Sequence, residues 1–164
     1  MEYRSTWMND EEYKLVTEKS PIPCVDLVVL KGGGRWETLL LVRSTGYERG
    51  KECIIGGRKW KGEIAAETIK RQASDLTVDV EVILPFEPGF PAWVDDNPMQ
   101  DGTKHPSVEI YPVRIVSGSI RESGDEYSSF KWVPVNQLPE MAYDHKYKIE
   151  IAVSQLKRFG VKSI

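Results

Sequence analysis

The segment from Cys53 to Leu76 constrains the fold more than any other part of this sequence. It opens with a short apolar run, Cys53-Ile54-Ile55, that stops at Gly56-Gly57. From Glu63 onward the apolar residues recur with the period of a helix and share one face: Ala65, Ile69, Ala73 and Leu76. A strand therefore leads through a glycine loop into an amphipathic helix, whose apolar face needs a sheet or another helix to cover it.

Other apolar runs predict the rest of a sheet. The runs Cys24–Lys31 and Glu37–Arg43 flank three consecutive glycines, which favours a β-hairpin. Apolar and polar residues alternate from Val78 to Leu84, as they do in a half-exposed strand. Two more strands are expected at Ser107–Val116 and Phe130–Val133.

Prolines predict one long loop and one irregular strand. The stretch from Pro85 to Pro106 holds five prolines and shows no periodicity. Loops of this length in compact domains are usually functional or mobile. Pro112 lies inside the strand expected from Ser107, and because proline has no N–H to donate to the ladder, we expect an edge strand or a bulge there.

Two helices flank this set of strands. Asn9 or Asp10 can cap a short helix that runs to about Glu18. A C-terminal helix is expected from His145 to Phe159, with four apolar residues facing inward: Ile149, Ala152, Val153 and Leu156. Strands mixed with helices, with the main helix in mid-chain, predict an α/β layered fold with a mixed sheet.

Length and composition narrow the class of protein. The 164 residues fit a single domain over 1–164, and no apolar run approaches the roughly 18 residues that cross a bilayer. Two cysteines make no disulfide scaffold and the N-terminus has no signal-like apolar stretch, so we expect a cytoplasmic protein. With a net charge of -3 we expect neither a nucleic-acid nor a membrane partner; an anionic ligand would need local cations or a metal.

Three residues in the glycine loop and helix have a distinctive spacing. Five residues separate Gly57 from Glu63, and seven separate Glu63 from Arg71. This resembles the opening of the Nudix box, and the resemblance implies the Nudix fold, an α/β/α sandwich with a mixed β-sheet. In that family the box continues with Glu, an aliphatic residue, any residue and Glu-Glu, whose carboxylates bind Mg2+ beneath a diphosphate. Oxygen ligands suit this hard cation, and such helical neighbours share one face.

The sequence departs from the family pattern directly after Arg71. The next five residues are Gln72, Ala73, Ser74, Asp75 and Leu76, so one of three box carboxylates remains. Leu76 also extends the apolar stripe of the helix. If Mg2+ or Mn2+ binds, we expect its ligands to be Asp75, the carbonyl of Gly56 and the carboxylate of Glu126.

A wider resemblance, to the GDP-mannose mannosyl hydrolases, covers most of the chain. It rests on the short N-terminal helix, the apolar strand with Asp26, the strand that ends Leu41-Val42-Arg43, the Gly-Gly-Arg of residues 56–58, and Phe130-Lys131-Trp132-Val133 before a terminal helix. That subfamily also lacks the first box glutamate, but its members keep an acid where this chain has Leu76. The resemblance also implies a homodimer, since the related hydrolases pair through N-terminal elements.

The same resemblance implies roles for individual residues. Arg43 and Arg58 would pair with phosphate oxygens, for which a guanidinium gives two parallel charged hydrogen bonds, and Asp26 would hold the other end of the substrate. Upstream of the Phe-Lys-Trp-Val strand the subfamily has a metal-binding glutamine and a histidine base, whose places here hold Glu126 and Tyr127.

The catalytic candidates follow from these positions. His105 is the nearest substitute for the missing base, because an imidazole that titrates near neutrality accepts a proton from water. Glu126 is the other candidate base. The box residues Glu63 and Arg71 are counted with the catalytic residues on the same resemblance.

Each of these residues also has a purely structural interpretation. Asp75 can be a solvated helix acid paired with Arg71, and Glu67, at the same spacing from Arg71, is expected to be a surface ion-pair partner. His105 and His145 are lone histidines, which are more often structural than catalytic.

Three hypotheses of function remain. The first is a divalent-metal-dependent hydrolase of a nucleoside diphosphate linked to another moiety, with a nucleotide sugar such as GDP-mannose as the expected substrate. The second is a Nudix-fold binding or regulatory domain that recognises a nucleotide without turnover, which the loss of two box acids would permit. The third, ranked below these, is a structural partner protein whose Nudix-like surface is vestigial.

Overall fold

The computed structural model describes residues 8–46, 48–96 and 104–163. Its helices are α1 (Asp10–Lys19), α2 (Ala65–Asp75) and α3 (His145–Arg158), with a 3-10 turn at Val135–Gln137. Its strands are β1 (Ile22–Lys31), β2 (Glu37–Arg43), β3 (Glu52–Cys53), β4 (Ile55–Arg58), β5 (Val78–Val82), β6 (Trp93–Asp96), β7 (Pro106–Gly118) and β8 (Tyr127–Pro134).

The strand β1 lies at the centre of a mixed sheet. It runs parallel to β7 and antiparallel to β4, and its last residues, Leu30 and Lys31, pair with the start of β2. The strand β2 continues the sheet through β3 and β8, while β7 carries β5 and β6 on its other side. The expected hairpin therefore exists, but β1 and β2 pair only next to the glycine turn.

Alternating side chains of β1 build two cores, one on each face of the sheet. Val25, Leu27 and Val29 pack in a cluster that contains the apolar face of α2. Val28 and Leu30 pack in a second cluster on the opposite face, with the inward residues of α3: Ile149, Ala152, Val153 and Leu156. Helices cover both faces of the sheet, so the expected α/β/α sandwich is confirmed.

The expected helices are present with boundaries close to those read from the sequence. Asn9 caps α1, because its side chain accepts from the backbone N–H of Glu12 at 3.0 Å while the Glu12 carboxylate accepts from the Asn9 N–H at 3.0 Å. None of the helices in the described part of the chain is long and apolar enough to span a bilayer.

Pro112 lies neither in an edge strand nor at a bulge, the two alternatives that we expected. It lies inside β7, which has neighbours on both sides, and it pairs with β1 in regular register. On the other side of β7 it falls between Ile110, which pairs with β6, and Val113, which pairs with β5. The Pro112 carbonyl accepts from the N–H of Ile83 at 2.9 Å, and the Ile83 carbonyl accepts from the N–H of Phe86 at 3.2 Å. The Ile83 carbonyl therefore has a donor although proline offers none, so the proline is tolerated.

The stretch from Pro85 to Pro106 is not a loop throughout. It contains β6, which pairs with β7 from Trp93 opposite Ile110 to Asp96 opposite Ser107. This strand has four residues and is mostly exposed, too short for an alternating pattern to stand out in the sequence.

Candidate functional site

Glu63 and Arg71 hold each other. Arg71 donates from Nε to Glu63 Oε1 at 2.7 Å and from Nη2 to Glu63 Oε2 at 2.9 Å. Its Nη2 also donates to the carbonyl of Arg58 at 2.9 Å, and its guanidinium carbon lies 4.3 Å from the ring centroid of Trp60. The pair therefore ties the end of β4 and the glycine loop to α2.

The Glu63 carboxylate has further partners. It accepts from the backbone N–H of Trp60 at 2.8 Å and from the Thr68 hydroxyl at 2.9 Å. The hydrogen bonds, above all those from Arg71, lower the pKa of Glu63 to about 2. A carboxylate with these hydrogen bonds is a weak base near neutral pH, and the contacts that it makes order the glycine loop. The catalytic role of Glu63 and Arg71 stays a prediction.

Gln72 and Leu76, which stand where the Nudix box has acids, are both buried. Gln72 is 2% exposed and Leu76 is 0% exposed. Gln72 Nε2 donates to the carbonyl of Val25 at 2.9 Å and to that of Gly57 at 3.3 Å. Leu76 packs in the core between α2 and the sheet. Both residues fasten α2 to the sheet.

The remaining acids that were expected to bind a metal are exposed. Asp75 ends α2 and Glu126 immediately precedes β8. Within residues 8–46, 48–96 and 104–163, no group of three His, Cys, Asp or Glu side chains is arranged to hold a metal ion. Mg2+ prefers near-octahedral oxygen ligands, and the buried neutral side chains of Gln72 and Leu76 stand at two of the three positions that hold acids in the Nudix box. The metal site of Gly56, Asp75 and Glu126 stays a prediction.

The ion pairs that we expected Asp75 and Glu67 to form with Arg71 are absent among the described residues. Arg71 pairs with Glu63 instead. The Glu67 carboxylate instead accepts from the backbone N–H of Ile64 at 3.0 Å, at the start of α2. There it satisfies an otherwise unpaired amide and complements the helix dipole.

A cleft of about 190 Å3 opens on the α3 side of the sheet. Three residues that the sequence predicted to bind substrate line it together: Asp26, Arg43 and Arg58. Gly56 lines it as well, whereas Asp75, Glu126 and His105 are absent from the described residues of its lining. The remaining polar residues of the lining are Tyr13, Cys24, Lys104, Tyr143, His145 and Lys148.

The glycine at position 56 is required by close approach to Asp26. The two residues lie opposite each other across β1 and β4. A Cβ on Gly56 would lie 1.9 Å from Asp26 Oδ1, well inside van der Waals contact. Gly56 therefore gives the Asp26 carboxylate its place at the floor of the cleft.

Lys148 of α3 joins two carboxylates beneath the cleft. It is 1% exposed, and its Nζ lies 2.9 Å from Asp26 Oδ2 and 3.1 Å from Asp144 Oδ1. Burial alone would lower the pKa of Lys148, but the two carboxylates outweigh it and raise the pKa above its ordinary value. Lys148 is therefore a permanent cation that orients Asp26.

His145 is neutral in this environment. It is 7% exposed, and its Nδ1 accepts from the backbone N–H of Ile54 at 3.3 Å. Burial lowers the pKa of His145 to about 4. Its Nε2 therefore carries the remaining proton and lies 3.9 Å from Asp26 Oδ2.

His105 lies beside the cleft, and its side chain interacts with Asp96 outside the described lining. Its Nε2 is 2.9 Å from Asp96 Oδ1, and its backbone carbonyl accepts from the N–H of Ile22 at 2.8 Å. Its neighbours Lys104 and Pro106 reach the cleft. The role of His105 as a base stays a prediction.

Sequence reasoning missed Lys148, and it ranked His145 below His105. Both lie on the inward side of α3: Lys148 follows His145 by three residues, Ile149 follows His145 by four, and Ala152 follows Lys148 by four. Two ionisable residues at inward positions of an apolar helical face are a signal in themselves, because such groups are rarely buried without partners.

Comparison with solved structures identifies the fold. The NUDIX domain of Shewanella oneidensis NrtR, complexed with ADP ribose, aligns with a TM-score of 0.66 at 22% identity, over 91% of this chain and 99% of that one. A UDP-X diphosphatase aligns with a TM-score of 0.67 at 16% identity, over 94% and 74%. An ADP-ribose pyrophosphatase from Streptococcus suis 89-1591 aligns with a TM-score of 0.61 at 11% identity, over 82% and 91%.

These similarities define the class of fold. No protein-family model and no curated protein matches this sequence. At the identities above, the structural matches establish architecture alone. The chain has the Nudix fold, as the spacing of Gly57, Glu63 and Arg71 predicted.

Proposed function

We propose that this protein binds a nucleoside diphosphate joined to a second group, with the diphosphate against Arg43 and Arg58 and the second group toward Asp26. The observation that carries this proposal is the convergence of these three residues on one cleft. They come from three different strands or strand ends, β1, β2 and β4.

The charges of the cleft favour an anionic ligand. Four cationic residues line it, Arg43, Arg58, Lys104 and Lys148, against one acid, Asp26. The protein as a whole has a net charge of -3, so the cationic lining is a local feature. Guanidinium groups bind phosphate oxygens in pairs of parallel hydrogen bonds.

The size of the cleft indicates which part of the ligand it encloses. Its volume of about 190 Å3 is below the roughly 300 to 1,000 Å3 of pockets that bury a whole drug-sized molecule. The cleft therefore suits the diphosphate and the group next to it, while the rest of the ligand lies over the rim.

Binding without turnover ranks first because the buried neutral residues Gln72 and Leu76 occupy two of the three positions that hold acids in the Nudix box. Metal-dependent hydrolysis of a nucleotide sugar such as GDP-mannose is the second candidate. It is favoured by two structural neighbours that are named for a diphosphatase and a pyrophosphatase activity.

Calorimetric titration with GDP-mannose, a UDP-sugar and ADP-ribose tests the proposal. Each titration is run in EDTA and in millimolar Mg2+, and the mixtures are then analysed for products by chromatography. We expect saturable binding of at least one ligand in EDTA and no product. Product that forms only with Mg2+ would establish the hydrolase instead.

Matched arginine variants locate the binding. Arg58→Ala removes a cation from the cleft, and Arg114→Ala removes an exposed cation of β7 that pairs with Glu81. Loss of one charge-assisted contact costs about 1.5 to 3 kcal/mol, or roughly 10- to 150-fold in Kd. We expect that loss for Arg58→Ala and less than about twofold for Arg114→Ala. Equal effects of both would contradict binding at the cleft.

A further inference from the structure

Two backbone carbonyls point at one atom where α2 meets the sheet. Val25 and Gly57 stand opposite each other across β1 and β4. Their oxygens lie 2.9 and 3.3 Å from Gln72 Nε2. Carbonyl oxygens accept but never donate, and both carry partial negative charge. The Lys59 N–H donates to the Pro23 carbonyl at 2.9 Å in the same register, so Val25 and Gly57 form a hydrogen-bonded pair of the ladder and each oxygen offers Gln72 its second lone pair. A polar group at the point that these two oxygens share is therefore tolerated only as a donor or a cation.

The orientation of the Gln72 amide shows which of its ends the site selects. Its nitrogen faces the two carbonyls, and its Oε1 is buried with no hydrogen-bond partner among the described residues. Turning the amide over would set a third oxygen against two others. The site thus keeps the donor end in place although the acceptor end stays unsatisfied, which is costly in a buried position.

The surroundings of Gln72 along α2 are apolar. Ile69, Ala73 and Leu76 pack in the same core as Val25, and Gln72 itself is 2% exposed. A carboxylate in this place would face two carbonyl oxygens in a medium that does not screen charge. It would need a proton or a positive ion to be tolerated.

We propose that the Gln72 amide nitrogen satisfies the carbonyls of Val25 and Gly57 in place of a cation, so that this junction is stable without a metal. Position 72 is the first of the acid positions in the box, and here a neutral donor removes the need for an ion. A corollary is that glutamate at position 72 makes the junction dependent on a divalent ion. The inference concerns the α2 side of the sheet and does not rest on ligand binding in the cleft.

Thermal unfolding of the whole chain, in EDTA and in millimolar Mn2+, tests this inference. The variants are Gln72→Glu, which introduces a carboxylate, and the matched control Gln72→Met, which removes the donor without adding charge. Asp75→Asn, at an exposed position, reports on any ion held by the remaining box acid.

We expect the melting temperature of the unchanged protein to be the same in EDTA and in Mn2+ within about 1 °C. Both position-72 variants should melt roughly 4 to 8 °C lower in EDTA, because two buried carbonyls lose the amide donor that they share and keep only their ladder hydrogen bonds. Mn2+ should restore Gln72→Glu by several degrees and leave Gln72→Met unchanged.

Three results would overturn the inference. In the first, Gln72→Met melts like the unchanged protein, so the donor is dispensable. In the second, Mn2+ stabilises the unchanged protein and Asp75→Asn abolishes the effect, so a cation is held by Asp75. In the third, Gln72→Glu folds but does not respond to Mn2+. If Gln72→Glu does not fold, the first two comparisons still decide.

Discussion

The two faces of the sheet at β1 differ in whether their buried polar side chains are charged. On the α2 face, where the family pattern has acids, Gln72 and Leu76 are neutral and buried. On the α3 face, Asp26 and Lys148 are both buried and charged, and Asp144 closes the network from the start of α3. On the α2 face the Gln72 amide donates to two backbone carbonyls. On the α3 face the Lys148 ammonium group pairs with two carboxylates.

The difference bears on the proposed binding of an anion. A buried ion pair seldom adds net stability relative to an apolar pair of the same volume, because desolvation offsets the attraction. Asp26 and Lys148 both line the cleft, so the proposed ligand gives a reason for buried charges at this place. The α2 face has neutral side chains, Gln72 and Leu76, at the corresponding depth.

The strongest way to break this comparison is to remove the cation of the α3 face. Lys148→Met removes the ammonium partner of the buried Asp26 carboxylate and of the half-buried Asp144 carboxylate. Removing one partner of a buried pair costs about 3 to 5 kcal/mol. We expect the free energy of unfolding, measured by urea denaturation, to fall by that amount.

The control for this variant lies on the same helix. Lys146 is exposed, so Lys146→Met should change the free energy of unfolding by no more than about 0.5 kcal/mol. If Lys148→Met were as stable as Lys146→Met, the charged network would be unimportant for folding, and the contrast between the two faces would lose its energetic basis.

The α2 face was predictable from sequence because its signals are local. The period of Ala65, Ile69, Ala73 and Leu76 fixes an amphipathic helix, and the spacing of Gly57, Glu63 and Arg71 fixes the loop before it. All four apolar residues are buried as expected. The ion pair between Glu63 and Arg71 joins residues only eight apart, so their spacing in the sequence was enough to single them out.

The α3 face was only half predictable because its contacts are long-range. Asp26 and Lys148 are 122 residues apart, and no pattern in a single sequence pairs them. The resemblance supplied Asp26, Arg43 and Arg58 but not the helix beneath them. The place of Pro112 in an inner strand was missed for a similar reason. One side of β7 pairs with β6 and then with β5, and β6 has no recognisable pattern in the sequence.

A second, smaller test concerns Asp95 of β6, which extends the network of the α3 face. Its Oδ2 is buried and has no hydrogen-bond partner within residues 8–46, 48–96 and 104–163. Partial burial, and then the neighbouring Asp144 carboxylate, raise the pKa of Asp95 to about 6, with Asp26 adding to the shift and Lys148 opposing it. Two carboxylates in contact are satisfied when one of them holds a proton.

The sign of the pH dependence follows from this shift. The folded protein binds a proton at Asp95 up to about pH 6, whereas an unfolded aspartate has lost it above about pH 4. The contribution is therefore present at low pH and is lost as pH rises from about 4 to about 6. Since Asp95 is partly exposed, we expect a loss of about 1 kcal/mol after solvent screening.

Urea denaturation as a function of pH measures this contribution. In Asp95→Asn the amide donates to Asp144 at every pH, so the variant should lose the decline between about pH 4 and pH 6. Asp125→Asn, at an exposed position, should keep it. A decline that is unchanged in Asp95→Asn would show that Asp95 does not share a proton with Asp144.

The smallest expected effect belongs to the last acid of the α2 face. Asp75 is exposed at the end of α2, and its carboxylate lies near the negative end of the helix dipole, where an anion is mildly unfavourable. Asp75→Asn should therefore leave the free energy of unfolding within about 0.5 kcal/mol of the original value, in EDTA and in Mn2+ alike. A loss confined to Mn2+ would mean that this carboxylate holds an ion after all, and the α2 face would then bind a cation while the α3 face has the proposed anion site. A small gain in both conditions would instead be the removal of an unfavourable charge from a helix end, which is the behaviour of a solvated surface acid.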